Sequence, residues 1–158
     1  MLLLGIDIGT SFIKVSVVDA TTQQCIAAAQ YPETENAITS LQSGWAEQSP
    51  EMWWNQTVQA IRNLNSSEKF NPKEIAAIGI SYQMHGLVVV DKNKNVIRDS
   101  IIWCDSRAVE TGEKAFNAIG EAICSSCLLN SPGNFTASKL GWVKNNEPRL
   151  YEKIDKIM

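Results

Sequence analysis

The chain opens with three apolar runs of strand length, each cut off by polar turn residues. LLLGIDI reads as a buried strand, and GTS after it is a turn signal. FIKVSVVD alternates as a half-buried strand does, and QCIAAAQY supplies a third. Two tight connections between successive strands predict an antiparallel meander. The stretch PETENAITSLQSG has no strong period and reads as a loop. A helix is expected next, with Ser49 as N-cap and Pro50 in the first position. Its stripe is Trp54, Val58, Ile61 and Leu64, which makes the tryptophans core anchors. IAAIGISY is continuous enough for a central parallel strand. GLVVVDKNKNVIRDSIIW predicts two strands around a polar turn. Asp105 is placed to cap a helix with the stripe Val109, Gly112, Phe116 and Ile119. Thr136 is placed to cap a shorter helix ending before Pro148. EPRLYEKIDKIM begins another helix, with a strand after it as the alternative to a helix alone. The sum is an α/β architecture with a mixed sheet and flanking helices.

Composition narrows the function classes. The 158 residues suffice for one domain with a real core, and 44% apolar with 20% charged residues is ordinary for a globular protein. A net charge of -3 without basic blocks gives no footprint for nucleic acid or an anionic membrane. The apolar start lacks a basic leader and is interrupted by Asp7, and no stretch is long enough to span a bilayer. The chain therefore reads as cytoplasmic. Cys124 and Cys127 form a CxxC, but a zinc site needs two further ligands and no second pair exists, so the four cysteines read as reduced thiols.

Two places carry candidate chemistry. In GIDIGTSFIKV, Asp7 precedes a Gly-Thr-Ser turn. Gly9 lets a ligand approach the backbone, Thr10 and Ser11 offer amides and hydroxyls to a phosphate, and Lys14 adds positive charge. Asp7 is suited to hold Mg²⁺ on phosphate oxygens. The same pattern also describes an ordinary hairpin with a polar turn. The only histidine, His85, stands in SYQMHGLVV between two apolar runs. It is either a satisfied core side chain or a residue presented at a bend.

The ordered set of segments resembles the N-terminal part of the FGGY family of sugar kinases, and within it most closely the xylulose kinases. The segments are GIDIGTS with Lys14, WAEQSPEMWW, QMHG, IIWCDSR, NFTASKLGWV and EPRLYEKIDKIM, and the likeness runs from the first residue to the last. The resemblance implies a ribonuclease H-like fold, as in actin and hexokinase, and an ATP- and Mg²⁺-dependent transfer of phosphate to the terminal hydroxyl of D-xylulose. Asp7 is then the metal- and phosphate-organising carboxylate, and Gly9, Thr10, Ser11 and Lys14 are the phosphate contacts. Met84 and His85 fix the sugar, Trp103 lines it, and Asp105 adds a polar edge. Arg107 is as well suited to an ion pair as to a ligand, and Gln83 and Asn134 lie beside the matched motifs. The expected partners are a small sugar and ATP, with neither nucleic acid nor membrane, and a homodimer is compatible with the sequence. Residues 1–158 are expected to form most of the sugar-binding lobe, with the general base and the nucleotide lobe beyond them. Another ketose or polyol as substrate, or a non-catalytic sugar-binding module, are the rival readings.

Overall fold

The computed structural model describes residues 1–128 and 131–158. In chain order the strands are β1 (Leu2–Ile8), β2 (Ile13–Asp19), β3 (Gln24–Tyr31), β4 (Glu47–Gln48), β5 (Ile75–Tyr82), β6 (Val89–Val90), β7 (Ser100–Ile101) and β8 (Lys156–Ile157). The helices are α1 (Pro50–Asn65), α2 (Val109–Ile119), α3 (Glu121–Ile123), α4 (Thr136–Asn146) and α5 (Pro148–Tyr151). The chain divides into two compact units, residues 1–37 with 51–83 and residues 38–50 with 84–158.

The first unit is built on a mixed sheet in the order β3-β2-β1-β5. β1, β2 and β3 form the antiparallel meander, and β5 runs parallel to β1. Side chains alternate across each strand, so Leu2, Leu4 and Ile6 share one face with Ile13, Val15 and Val17. That face packs with Ala27 and with Ala60 and Leu64 of α1 into one core. Each fully buried Val or Ile there contributes about 2 kcal/mol. The opposite face carries small and polar residues: Gly5 beside Ser16 and Gly79, and Asp7 beside Lys14 and Ser81.

Two expectations need correction here. The inner face of α1 runs through Thr57, Ala60 and Leu64, and Trp54 stands 65% exposed. Small side chains at 57 and 60 let the helix approach the sheet, and the Thr57 hydroxyl is satisfied by the Trp53 carbonyl at 2.7 Å, which removes the cost of burying it. The sequence period favoured Trp54 and Val58 over Thr57 and Ala60, while Ile61 and Leu64 of the expected stripe do pack on the core. Second, β5 is parallel as expected but lies at the sheet edge, with Ile78 and Ile80 each 60% and Tyr82 73% exposed. An apolar strand with an open backbone edge is a template for pairing. The 158-residue chain produced by itself should therefore self-associate in sedimentation velocity runs, and Ile80→Lys should shift it toward monomer. A monodisperse monomer from the unaltered chain contradicts this.

The second unit is held by two small antiparallel ladders, β4 with β7 and β6 with β8. Its core is Leu87, Val89, Ile101 and Val143, with Leu140, Trp142 and Tyr151 packed against it. The expected polar turn is present: the Asp91 carboxylate accepts from the amides of Asn93 and Asn95, and Val90 bridges to Val96. The arms stay joined beyond it, the Ile97 amide donating to the Val89 carbonyl at 3.2 Å and the Leu87 amide to the Ile101 carbonyl at 2.9 Å, but the regular strands in them are short. They are two residues long and pair with distant segments. In α2 only Gly112 of the expected stripe is buried; Val109 and Ile119 are 40% and 42% exposed. A Cβ on Gly112 would lie 2.2 Å from the Gly133 Cα, so the close approach of the two backbones requires glycine there. Among the described residues no helix is long and apolar enough to cross a membrane.

Candidate active site

In the first unit, β1 delivers Asp7 to the exposed end of the small-residue face. The register sets Lys14 directly opposite it on β2 and Ser81 directly opposite on β5. The hairpin closes with the Gly9 amide donating to the Phe12 carbonyl at 3.1 Å. A Cβ on Gly9 would fall 2.8 Å from that carbonyl oxygen, so glycine is what permits this tight turn. The Thr10 hydroxyl donates to Gln83 Oε1 at 3.3 Å, and the Ser11 hydroxyl donates to Glu35. The Ser11 carbonyl accepts from the Asn36 amide at 3.0 Å. Gln83 Nε2 is buried without a partner at the base of the same hairpin. Asp7, Lys14, Ser16, Gln30 and Ser81 line an open hollow of about 940 Å³ floored by Gly5, Ala28 and Gly79. Asp7, Gly9, Thr10, Ser11 and Lys14 are thus brought together on one hairpin.

That donor set can be tested against Mg²⁺. Among the described residues no three His, Cys, Asp or Glu side chains are grouped to cage a metal. One exposed carboxylate with a lysine and hydroxyls beside it fits Mg²⁺ instead, which keeps most of its waters and arrives on phosphate oxygens.

In the second unit, the chain turns sharply after β5. His85 adopts a left-handed backbone, φ 59°, and its side chain is exposed, as is Met84 at 65%. His85 is therefore not a core residue. The turn is held by the segment that opens α4. The His85 ring stacks on Phe135, with centroids 4.9 Å apart and 22° between planes. The Thr136 hydroxyl donates to the Gly86 carbonyl at 2.9 Å, and Lys139 Nζ donates to the His85 carbonyl at 2.6 Å. Thr136 is thus the first residue of α4 rather than its cap, which is Phe135. Asn134 Nδ2 donates to the Trp103 carbonyl, and the Trp103 side chain stands 48% exposed.

Asp105 takes a place the sequence did not indicate. It is 2% exposed, and its carboxylate accepts from the Ala46 amide at 2.6 Å, from the Arg107 amide at 2.8 Å and from the Arg107 guanidinium at 2.7 Å. It caps the turn before α2 and leaves the helix N-cap to Ala108, which makes no side-chain bond. Arg107 pairs with Glu47 at 2.6 Å and lies over the Trp45 ring, 3.9 Å from its centroid. Arg98 joins Glu47 to Glu147. Arg107 is thereby a structural ion pair, and a buried cation–π contact of this kind is worth about 2 kcal/mol.

Lys139 is the functional candidate that the sequence reading passed over. The signal was available: with Phe135 and Val143 it forms an i, i+4, i+8 stripe, and a lysine in the middle of an inward stripe is out of place. It is fully buried. Desolvation lowers its pKa to about 8 from the usual 10.5, with the Asp105 carboxylate pulling the other way. The unfolded chain therefore binds more protons than the folded one between these values, and stability from this group rises with pH across that window. The melting temperature of the unaltered chain relative to Lys139→Met should climb from pH 8 toward pH 10.5. A flat or falling difference contradicts the assignment.

Residues 2–158 match the domain described as "FGGY family of carbohydrate kinases, N-terminal domain", and the chain belongs to this family. Its sheet and helices are those of the ribonuclease H-like fold shared with actin and hexokinase. Among its relatives, the xylulose kinase of Escherichia coli (strain K12) is 34% identical over 156 residues, covering 98% of this chain and 31% of that protein. The xylulose kinase of Bacillus subtilis (strain 168) is 33% identical over 151 residues, covering 95% of this chain and 29% of that protein. A crystal structure of a "xyloylose kinase" from Brucella ovis superposes with a TM-score of 0.87 at 31% identity, over 100% of this chain and 32% of that one. The chain thus spans less than a third of the length of these proteins.

Proposed function

We propose that residues 1–158 are the sugar-binding portion of an ATP-dependent kinase that transfers the γ-phosphoryl group to the terminal hydroxyl of D-xylulose, giving the 5-phosphate. The observation that carries this reading is the Met84–Gly86 turn: an exposed imidazole on a left-handed backbone, tied down from α4, with the half-exposed Trp103 bonded through its carbonyl to Asn134 of the segment before that helix. A sugar hydroxyl both donates and accepts, and a neutral imidazole offers one nitrogen of each kind. Met84 and Trp103 supply the apolar wall that covers the carbon chain. Asp105 serves this site from behind, by fixing the turn after Trp103 through Arg107 and the Ala46 amide.

Phosphoryl transfer asks mainly for positioning and charge neutralisation. Lys14 neutralises phosphate oxygens, the Thr10 and Ser11 hydroxyls bond them in exchange for Gln83 and Glu35, and Asp7 would hold Mg²⁺. When bound, Mg²⁺ would supply positive charge that offsets the negative charge of the phosphate oxygens. The general base that takes the hydroxyl proton, and the lobe that holds the nucleotide, belong to sequence outside residues 1–158, in keeping with the share of each relative that the chain covers.

An ATP-consumption assay of the full-length protein over a panel of ketoses and polyols tests this. D-Xylulose is expected to give the highest kcat/KM. A higher value with glycerol, ribulose or gluconate reassigns the substrate, and no sugar-dependent turnover with any of them removes the kinase reading.

A further inference from the structure

We infer that Lys139 is a positioning residue for sugar recognition: its buried ammonium grips the His85 carbonyl and so holds the backbone that presents the His85 ring. This rests on the reading that His85 contacts the sugar.

Three features support the inference. The φ of 59° at His85 is disfavoured for a residue with a Cβ, so the turn needs outside ties to persist. Those ties come from one short segment: Lys139 on the His85 carbonyl at 2.6 Å, Thr136 on the Gly86 carbonyl at 2.9 Å, and Phe135 under the imidazole. Asn134 of the same segment bonds the Trp103 carbonyl. Two exposed side chains, His85 and Trp103, are therefore set by one rigid piece of chain.

The second feature is the choice of residue. Lys139 is completely enclosed, and a methionine or leucine would fill the same stripe without desolvating a charge. Its low proton affinity records that desolvation. A hydrogen bond to a carbonyl is what the lysine adds over an apolar residue, and a charged donor makes that bond a strong one. The third is reach. Lys139 has no exposed surface and its Nζ is bonded to the His85 carbonyl, so Lys139 acts through His85 rather than on the sugar.

The test is steady-state kinetics of the full-length kinase with D-xylulose, for Lys139→Met, His85→Ala and the double variant. Lys139→Met should raise the sugar KM by about tenfold, the loss of one strong hydrogen bond felt at the ligand, with KM for ATP unchanged. In the His85→Ala background the same substitution should change the sugar KM by less than about twofold, because the ring it positions is gone. Thr136→Val should show the same pattern at about threefold, and it decides the matter if Lys139→Met does not fold. Unaltered sugar KM in Lys139→Met, with His85→Ala impaired, overturns the inference alone. Equal losses in both backgrounds show a merely structural lysine. His85→Ala with unchanged sugar KM overturns both this inference and the sugar contact on which it rests.

Discussion

Asp7→Asn in the full-length protein should lower kcat by about a thousandfold while leaving the sugar KM within about twofold. The substitution keeps the shape of the side chain and the backbone ladder to Lys14 and Ser81, and removes one negative charge at the exposed end of β1. That charge matters most when charge moves in the transition state, so the loss belongs in kcat. It is not a stability effect, since Asp7 is exposed on the sheet face that lines the hollow and takes no part in the core. Near-normal turnover at ordinary Mg²⁺ concentrations removes Asp7 from the mechanism.

His85→Ala should raise the sugar KM by about tenfold to a hundredfold, as expected for one or two hydrogen bonds to a bound hydroxyl. The KM for ATP should hold. The melting temperature should move little, because the ring is exposed and loses only its stacking on Phe135. Thermal destabilisation with unchanged sugar kinetics contradicts the contact and leaves the histidine as a packing residue for α4.

The parts of the fold that follow from local pattern were legible in the sequence. Apolar runs of strand length gave β1 and β3, period-two alternation gave β2, and the Ser-Pro start of α1 was readable from capping chemistry alone. The two-residue strands β6, β7 and β8 fall in segments that read as strands, but β4 and the pairings β4 with β7 and β6 with β8 were not legible, because two residues carry no period and their partners lie far away in sequence. Trp54 misled because size outweighs shape in a hydrophobic stripe, whereas close helix packing selected Thr57 and Ala60. β5 looked central because both faces are apolar or small; its position in a sheet depends on neighbours that no local signal names. At the site, the hairpin around Gly9 was legible because its turn geometry demands those residue types. Asp105 was singled out as a cap and a polar edge, but its burial against Arg107 and the Ala46 amide was not legible, and Lys139 read as a surface group until the His85 carbonyl is placed beside it.

On the proposed function, the Met84–Gly86 turn binds the sugar and the Asp7 hairpin serves the phosphate. Calorimetric titration of D-xylulose into the full-length protein without nucleotide tests it most directly. The unaltered protein and Asp7→Asn should bind the sugar with the same affinity, and His85→Ala should bind it at least about tenfold more weakly. Equal affinity in the unaltered protein and His85→Ala, or a loss that follows Asp7→Asn instead, contradicts the account.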